Sequence, residues 1–346
     1  DRGETLVLFG PSGAGKTVLL RLIAGVIEPD AGTIILQDRD MNGVEPEDRG
    51  IGMAFQNFAL FPHMDAHANI ASPLTAQKKD KSAIQAGVQG LAKLLKIDHV
   101  LKHKPKELSN GQKQRTALAR ALAGKPKILL LDDPLRNVDA KLRFEMRLEL
   151  PNLLYEQNAT VIYVTQDYKE AMAFGDQIAV INGGVIQQIG TPEAIYLTPA
   201  NVEIARLFGD PVINLLDVTL QKDASGVFAL ISEKRIDLDA SYASVVGLEC
   251  CLGIRPESVL FVDRDHKSAV PVTVEAETPL NEKTVNLCLT ARGREIMASR
   301  PSGTQGPAGG EAFVAIEAAS AMIFDKQTGA LIETNSTDIS ERGKVT

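Results

Sequence analysis

Gly10-Pro11-Ser12-Gly13-Ala14-Gly15-Lys16-Thr17 is the stretch on which the reading of this chain turns. It has the form G-x-x-x-x-G-K-[ST], the pattern of a phosphate-binding loop. A short apolar run, Thr5 to Phe9, precedes it, and the helical run Thr17 to Ala24 follows. The order strand, loop, helix is the context the motif requires. Gly10, Gly13 and Gly15 let the backbone turn sharply and bring its N–H groups close to phosphate oxygens. The following helix points its positive end at the same place. Lys16 is then placed to reach the β- and γ-phosphates of a nucleotide, and Thr17 to ligate Mg²⁺. A chance glycine-rich turn is the alternative, and the flanking strand and helix argue against it.

Outward from the loop, the pattern alternates between strand and helix. Gly32 to Gln37 and Gly52 to Phe55 read as strands, with Gln56 directly after the second. From Ala66 to His103 the pattern is helical, with Ile84, Val88, Leu91, Leu94 and Leu95 forming an apolar stripe. Leu108-Ser109-Asn110-Gly111-Gln112 opens a second helical run, Lys113 to Ala123. Ile128-Leu129-Leu130-Leu131 suits a parallel strand buried on both faces, and it ends in Asp132-Asp133-Pro134. Asp139 is an N-cap for a helix over Ala140 to Gln157, with a kink expected near Pro151. Thr160 to Val164 is another buried strand, followed by Gln166, and Glu170 to Phe174 is helical. Ile178 to Ile181 and Val185 to Ile189 flank Asn182-Gly183-Gly184, a hairpin signal. This is an α/β domain with a mostly parallel sheet over residues 1–211, containing a helical subdomain at about 57–125. Beyond Pro211 the segments turn short and β-prone. Asp217 to Leu220, Val227 to Ile231, Val270 to Glu275, Thr284 to Leu289 and Ala312 to Ile316 are separated by turn residues, notably in the loop Pro301 to Gly310. Residues 212–346 are therefore expected to form an all-β barrel domain.

The bulk properties narrow the function. At 346 residues two domains are expected, and 44% hydrophobic content supports sizeable cores. A net charge of −7 argues against nucleic acid as the partner. Three cysteines, two of them adjacent (Cys250 and Cys251, with Cys288), make a poor disulfide framework and suit a reduced, cytoplasmic setting. No apolar run reaches the length of a membrane span and no signal peptide is visible, so membrane attachment would come from other subunits. The chain opens at Asp1 with the loop strand almost at once, and an N-terminal piece carrying further strands and a base-contacting element is expected to be missing.

Four further stretches carry a family resemblance. Leu108-Ser109-Asn110-Gly111-Gln112 resembles the LSGGQ signature of ABC ATPases, which sits at a helix N-terminus and binds the γ-phosphate of an ATP held by the opposite subunit. Ile128 to Asp132 resembles a Walker B strand, which implies that Asp132 reaches Mg²⁺ through water. Gln56 resembles the Q-loop glutamine that senses Mg²⁺ and the membrane subunits. Asn137-Val138-Asp139-Ala140 resembles the D-loop that crosses the dimer interface. Gly52 to Met64, Lys104 to Arg120, Asp133 to Arg147 and Gly253-Ile254-Arg255-Pro256-Glu257 extend the resemblance, over nearly the whole chain, to the ATPase subunits of maltose and glycerol-phosphate type importers. What this implies is an oligonucleotide-binding-type barrel used for dimerisation and regulation, ATP and Mg²⁺ as ligands, a second ABC ATPase, two membrane permease subunits, an indirect extracytoplasmic solute-binding protein, and a place on the cytoplasmic face of the inner membrane. Sugars, polyols and glycerol derivatives are all compatible cargoes. A soluble P-loop kinase would leave Leu108 to Gln112 and Asp139 unexplained, and a DNA-repair ABC protein would need a long coiled-coil insertion.

Three residues depart from the family where the chemistry lies. Asp133 stands where a glutamate polarises the attacking water, and its shorter side chain places the carboxylate roughly 1.5 Å back on a fixed backbone. A misplacement of about 1 Å can cost on the order of a hundredfold in rate; a backbone shift that restores reach is the alternative. Gln166 stands for the switch histidine; it donates a hydrogen bond but carries no charge. Asn110 replaces the first signature glycine, where Asn is a tolerable choice if φ is positive. Arg136 stands where a small residue is common. Asp133 and Gln166 would serve this chain's own ATP, and Ser109, Asn110, Gly111 and Gln112 the partner's. A heterodimer with a fully equipped ATPase is the leading expectation, with a slow homodimer or a nucleotide-holding regulatory subunit as alternatives.

Overall fold

The computed structural model describes residues 2–304, 306–307 and 309–333. Asp1, residues 305 and 308 of the loop expected at Pro301 to Gly310, and residues 334–346 of the expected barrel domain lie outside the described residues. Two compact units divide the chain, Asp1–Glu193 and Ala194–Thr346. The sequence places the change of character at 211. The division falls earlier because Ala205 packs with Ile213, Met322 and Phe324 in a cluster of the second unit.

In the first unit, the apolar run at the start becomes strand β1 (Thr5–Phe9), and the phosphate loop leads into α1 (Lys16–Ala24). The run expected at Gly32 to Gln37 is strand only over β2 (Ile35–Leu36), which pairs antiparallel with β3 (Arg39–Asp40). Then follow β4 (Ile51–Ala54), helices α2 (Ala66–Ala76), α3 (Lys81–Leu94) and α4 (Asn110–Ala123), β5 (Ile128–Asp132), α5 (Ala140–Gln157), β6 (Thr160–Thr165), α6 (Tyr168–Phe174), β7 (Gln177–Asn182) and β8 (Val185–Gly190). The main sheet has the order β4-β5-β6-β1-β7-β8. Its first five strands are parallel and β8 is antiparallel to β7. All five residues of β5 are buried, as a two-sided parallel strand demands. The Gly183-Gly184 turn has φ 57° and 78°, which explains why the β7–β8 connection needs glycine.

The core beneath the phosphate loop is built from Leu8, Leu20, Leu130, Val164, Ala179 and Ile181. Pro151 lies inside the 18-residue α5, whose apolar residues Leu142, Met146, Leu150 and Leu154 are buried at helical spacing. The helical stretch read from Ala66 to His103 is two helices. Asp80 caps the second by accepting a hydrogen bond from Ala83 N at 2.8 Å.

The second unit is antiparallel and barrel-like. Among the described residues its sheets have three, three and five strands: Gln221–Asp223, Gly226–Ile231 and Lys234–Leu238; Met322–Asp325, Glu249–Ile254 and Asn214–Thr219; and Val259–Phe261, Gly310–Ile316, Val270–Pro279, Lys283–Thr290 and Glu295–Pro301. One core joins them, with Leu216, Ala229, Leu252, Val272, Val314 and Ile323 all buried.

Candidate functional site

All three glycines of the phosphate loop are required by its geometry, Gly13 by its φ of 81°. A Cβ on Gly10 would lie 2.1 Å from the Ile181 carbonyl oxygen, so only glycine lets β1 end against β7. Gly15 adopts φ 100° as the residue that caps α1. No side chain caps α1, so its leading N–H groups are left for a ligand, the arrangement of an anion site at a helix N-terminus. Lys16 is buried, and its ammonium donates to the carbonyls of Gly10 and Pro11, both at 2.7 Å. The closed loop is thus held by the same lysine that the sequence assigns to phosphate. Burial lowers the Lys16 pKa, and the carboxylates of Asp133 and Asp132 oppose that shift.

At the end of β5, the Thr17 hydroxyl donates to Asp132 Oδ1 at 3.1 Å. Burial raises the Asp132 pKa against the hydrogen bond from Thr17 and the charges of Arg21, Lys16 and Arg136. A hydroxyl and a carboxylate side by side, with no nitrogen or sulfur ligand, form an oxygen donor set of the kind Mg²⁺ uses when phosphates complete its shell. The residues fit that ion.

Ser12 to Val18, Gln56, Asp132, Asp133, Arg136, Val164 and Gln166 line one cavity of about 220 Å³. Most of the predicted nucleotide and catalytic residues therefore converge from five separate elements: the loop and the ends of α1, β4, β5 and β6. Ser109, Asn110, Gly111, Gln112 and Asp139 do not line it. Ser109, Gln112 and Asp139 cap helices instead, while Asn110 and Gly111 open α4. Ser109 caps α4, accepting from Gln112 N at 3.2 Å, while Gln112 Oε1 accepts from Ser109 N at 2.9 Å. Asp139 caps α5, accepting from Leu142 N at 3.1 Å. Asn110 is the first residue of α4 and has no positive φ, so its position does not require the conformational freedom of glycine. The strict requirement falls on Gly111, where a Cβ would lie 2.9 Å from the Asn137 carbonyl oxygen.

Asp133 is the most constrained residue of the site. It adopts φ 50°, an uncommon conformation outside glycine. Its N–H donates to Val164 O at 3.0 Å, and its carbonyl accepts from Gln114 Nε2 at 2.6 Å and from Arg136 N at 3.3 Å. The carboxylate lies 3.8 Å from the Arg136 guanidinium. Burial raises its pKa, with Arg136 acting in the opposite direction.

Gln114, two residues beyond the signature stretch in α4, has a structural role that its motif does not reveal. It is buried, and besides holding the Asp133 carbonyl its Oε1 accepts from Asn137 N at 2.8 Å. One side chain thereby ties α4 to the turn after β5. The signal was present: Gln114 shares a buried helical stripe with Ala117, Leu118 and Ala121, where an amide demands partners. Asn69 and Arg120 were also missed. Buried Asn69 holds Phe61 N at 2.8 Å and the carbonyls of Phe61, Met64 and Asp65. Arg120 donates to Ala59 O at 2.8 Å and stacks over Phe61. Together they fix the segment that follows Gln56.

The family model for ABC transporters matches residues 1–136. The trehalose/maltose import ATP-binding protein MalK of Thermococcus litoralis is 40% identical over 347 residues, covering 95% of this chain and 92% of that protein. This chain belongs to the ABC transporter ATP-binding subunits. The sn-glycerol-3-phosphate import ATP-binding protein UgpC of Salmonella typhi is 39% identical over 329 residues, covering 94% of this chain and 91% of that protein. Among solved structures, the dimeric post-hydrolysis state of the ATP-binding cassette MJ0796 bound to ADP and Pi has 30% identity and a TM-score of 0.52, covering 56% of this chain and 87% of that one. The expected fold class, an ABC-type α/β domain followed by an antiparallel barrel-like domain, agrees with these findings and with the sheet order. As a member of this family the chain is an ATP hydrolase coupled to transport. No helix among the described residues is long and apolar enough to cross a membrane.

Proposed function

We propose that this chain is the ATP-binding subunit of an importer for a sugar, polyol or glycerol derivative, working peripherally at the cytoplasmic face of the inner membrane. It binds Mg-ATP between its own phosphate loop and the signature residues of a second ABC ATPase, and passes the resulting closure to two permease subunits served by a solute-binding protein. The observation that carries the dimer is the separation within one chain: Ser109, Asn110, Gly111 and Gln112 stand outside the cavity that holds Lys16, Thr17, Gln56 and Asp132. In this reading the start of α4, capped by Ser109 and Gln112, serves another subunit's site rather than its own. Gly10 to Thr17 cradle the phosphates, and Thr17, Gln56 and Asp132 would hold Mg²⁺, whose charge would offset that of the phosphates when bound. Asp133 orients the attacking water, Gln166 donates a hydrogen bond to the terminal phosphate, and Asp139 lies at the dimer seam.

We further infer that this chain's own site turns ATP over weakly and that its partner is a different ATPase with a glutamate and a histidine at these two positions. What supports weak turnover is the pinning of Asp133 at its N–H by Val164 and at its carbonyl by Gln114. A backbone held at both ends resists the shift that would restore the reach of a missing methylene. Purification of the intact membrane complex tests the pairing. One copy of this chain with one other ATPase is expected, and two copies of this chain with no other ATPase would exclude the heterodimer.

A further inference from the structure

Arg136 is a long cation in a place where the cavity has few. Among the side chains lining the cavity, the cations are Lys16 and Arg136, and the anions are Asp132 and Asp133. Lys16 donates to the carbonyls of Gly10 and Pro11. Gln166, on the same wall, is neutral. A triphosphate entering this cavity adds negative charge beside two carboxylates, and Arg136 is the second cation, beside Lys16, able to answer it.

The setting of Arg136 suits a side chain that changes partner. Its backbone is fixed: its N–H donates to Asp133 O at 3.3 Å and its carbonyl accepts from Arg143 Nη2 at 3.2 Å. The next residue is held through Asn137 N by buried Gln114. The side chain, by contrast, is 52% exposed, and its link to Asp133 is a single long contact of 3.8 Å. An exposed, monodentate ion pair of this kind holds weakly. A guanidinium facing phosphate oxygens makes shorter, charge-assisted and often bidentate bonds. Arg136 also lines a second cavity of about 430 Å³ with Asp133, Arg143 and Gln166, so there is room for the guanidinium to move.

We propose that Arg136 reads the terminal phosphate: its guanidinium leaves the Asp133 carboxylate for that phosphate, so that the site discriminates a nucleoside triphosphate from a diphosphate. The exchange also frees the Asp133 carboxylate only when a triphosphate is present. Arg136 thus acts as a specificity-determining and positioning residue, supplying the charge that Gln166 lacks. The inference rests on the reading of this cavity as the nucleotide site.

Calorimetric titration of the full chain with Mg²⁺ and either ADP or a non-hydrolysable β,γ-imido ATP analogue tests it. Arg136→Gln is expected to weaken the triphosphate analogue about tenfold or more while leaving ADP within about twofold. Arg136→Lys, which keeps the charge but not the fork, should fall between. Equal loss of both nucleotides, or loss of neither, would overturn the proposal. Lys16→Ala reports separately on the cavity: it should lose both ligands, and retention of both would overturn the site assignment itself, whatever Arg136→Gln does.

Discussion

Replacing Gln114 by Leu removes a buried side chain that joins the signature helix to the turn carrying Asp133. Two hydrogen bonds go, at 2.6 Å to Asp133 O and 2.8 Å from Asn137 N. Each contributes about 1 kcal/mol net, and a buried group left unpaired costs about 1–3 kcal/mol. The two backbone groups fare differently. Asp133 O keeps its bond from Arg136 N at 3.3 Å, whereas the Asn137 N–H loses the partner the structure gives it. One lost bond and one orphaned donor sum to about 2–4 kcal/mol against the first unit. Urea unfolding of the isolated chain, followed by a probe in residues 1–193, measures this. Gln114→Glu is the informative companion. It retains an acceptor for Asn137 N but sets a carboxylate against the Asp133 carbonyl, so it should not rescue. A Gln114→Leu variant within about 0.5 kcal/mol of the parent would refute the bridging role. So would full recovery in Gln114→Glu.

Three further outcomes follow from single contacts. Gly10→Ala should prevent stable folding of the first unit or cost more than about 3 kcal/mol, since its Cβ would stand 2.1 Å from a backbone oxygen; a melting temperature unchanged by the substitution would contradict this. Gly111→Ala should weaken the assembled ATPase more than it weakens nucleotide binding by the isolated chain, because its Cβ would press on Asn137 O at 2.9 Å beside the signature residues; an equal loss in the isolated chain would count against the split site. Buried Glu170 accepts from Tyr163 Oη at 2.9 Å and Thr165 Oγ1 at 2.8 Å, and burial raises its pKa above the ordinary 4.5 despite those bonds. The folded state therefore holds this proton more tightly than the unfolded one, and stability is lost as pH rises from the ordinary 4.5 through the raised value. Glu170→Gln should gain on the parent over that interval, read as urea midpoints; a gap that narrows with rising pH would contradict the assignment.

Much of the fold was legible because the decisive signals are local. The strand–loop–helix at Gly10 to Thr17, the buried run Ile128 to Leu131, the cap at Asp139 and the hairpin at Gly183-Gly184 each depend on residues within a few positions of one another. The stretch from Ala66 to His103 reads as continuously helical because the break at 77–80 carries no glycine and no proline, although Asp80 offers a capping signal. In the second unit, strands such as Glu249–Ile254 and Lys234–Leu238 escaped notice because their pairing partners, Asn214–Thr219 and Gly226–Ile231, define them more than their own pattern does. The site was legible as a set of motifs, but not in its supports. Gln114 reaches Asp133 and Asn137 across 19 and 23 positions, and no periodicity in the chain records such a contact. Arg136 was visible as a departure, yet its place beside Asp133 and within the cavity is a fact of three dimensions.

In the proposed function this chain holds its nucleotide in a well-formed loop while hydrolysing it weakly, because Asp133 is short on a fixed backbone and Gln166 is neutral. The most direct measurement is the steady-state ATPase rate of the purified transport complex carrying Asp133→Glu together with Gln166→His, compared with the parent complex. Restored reach and charge should raise the rate at this site by about tenfold or more. An unchanged rate, with nucleotide affinity intact, would show that the parent site is already competent and would contradict the account.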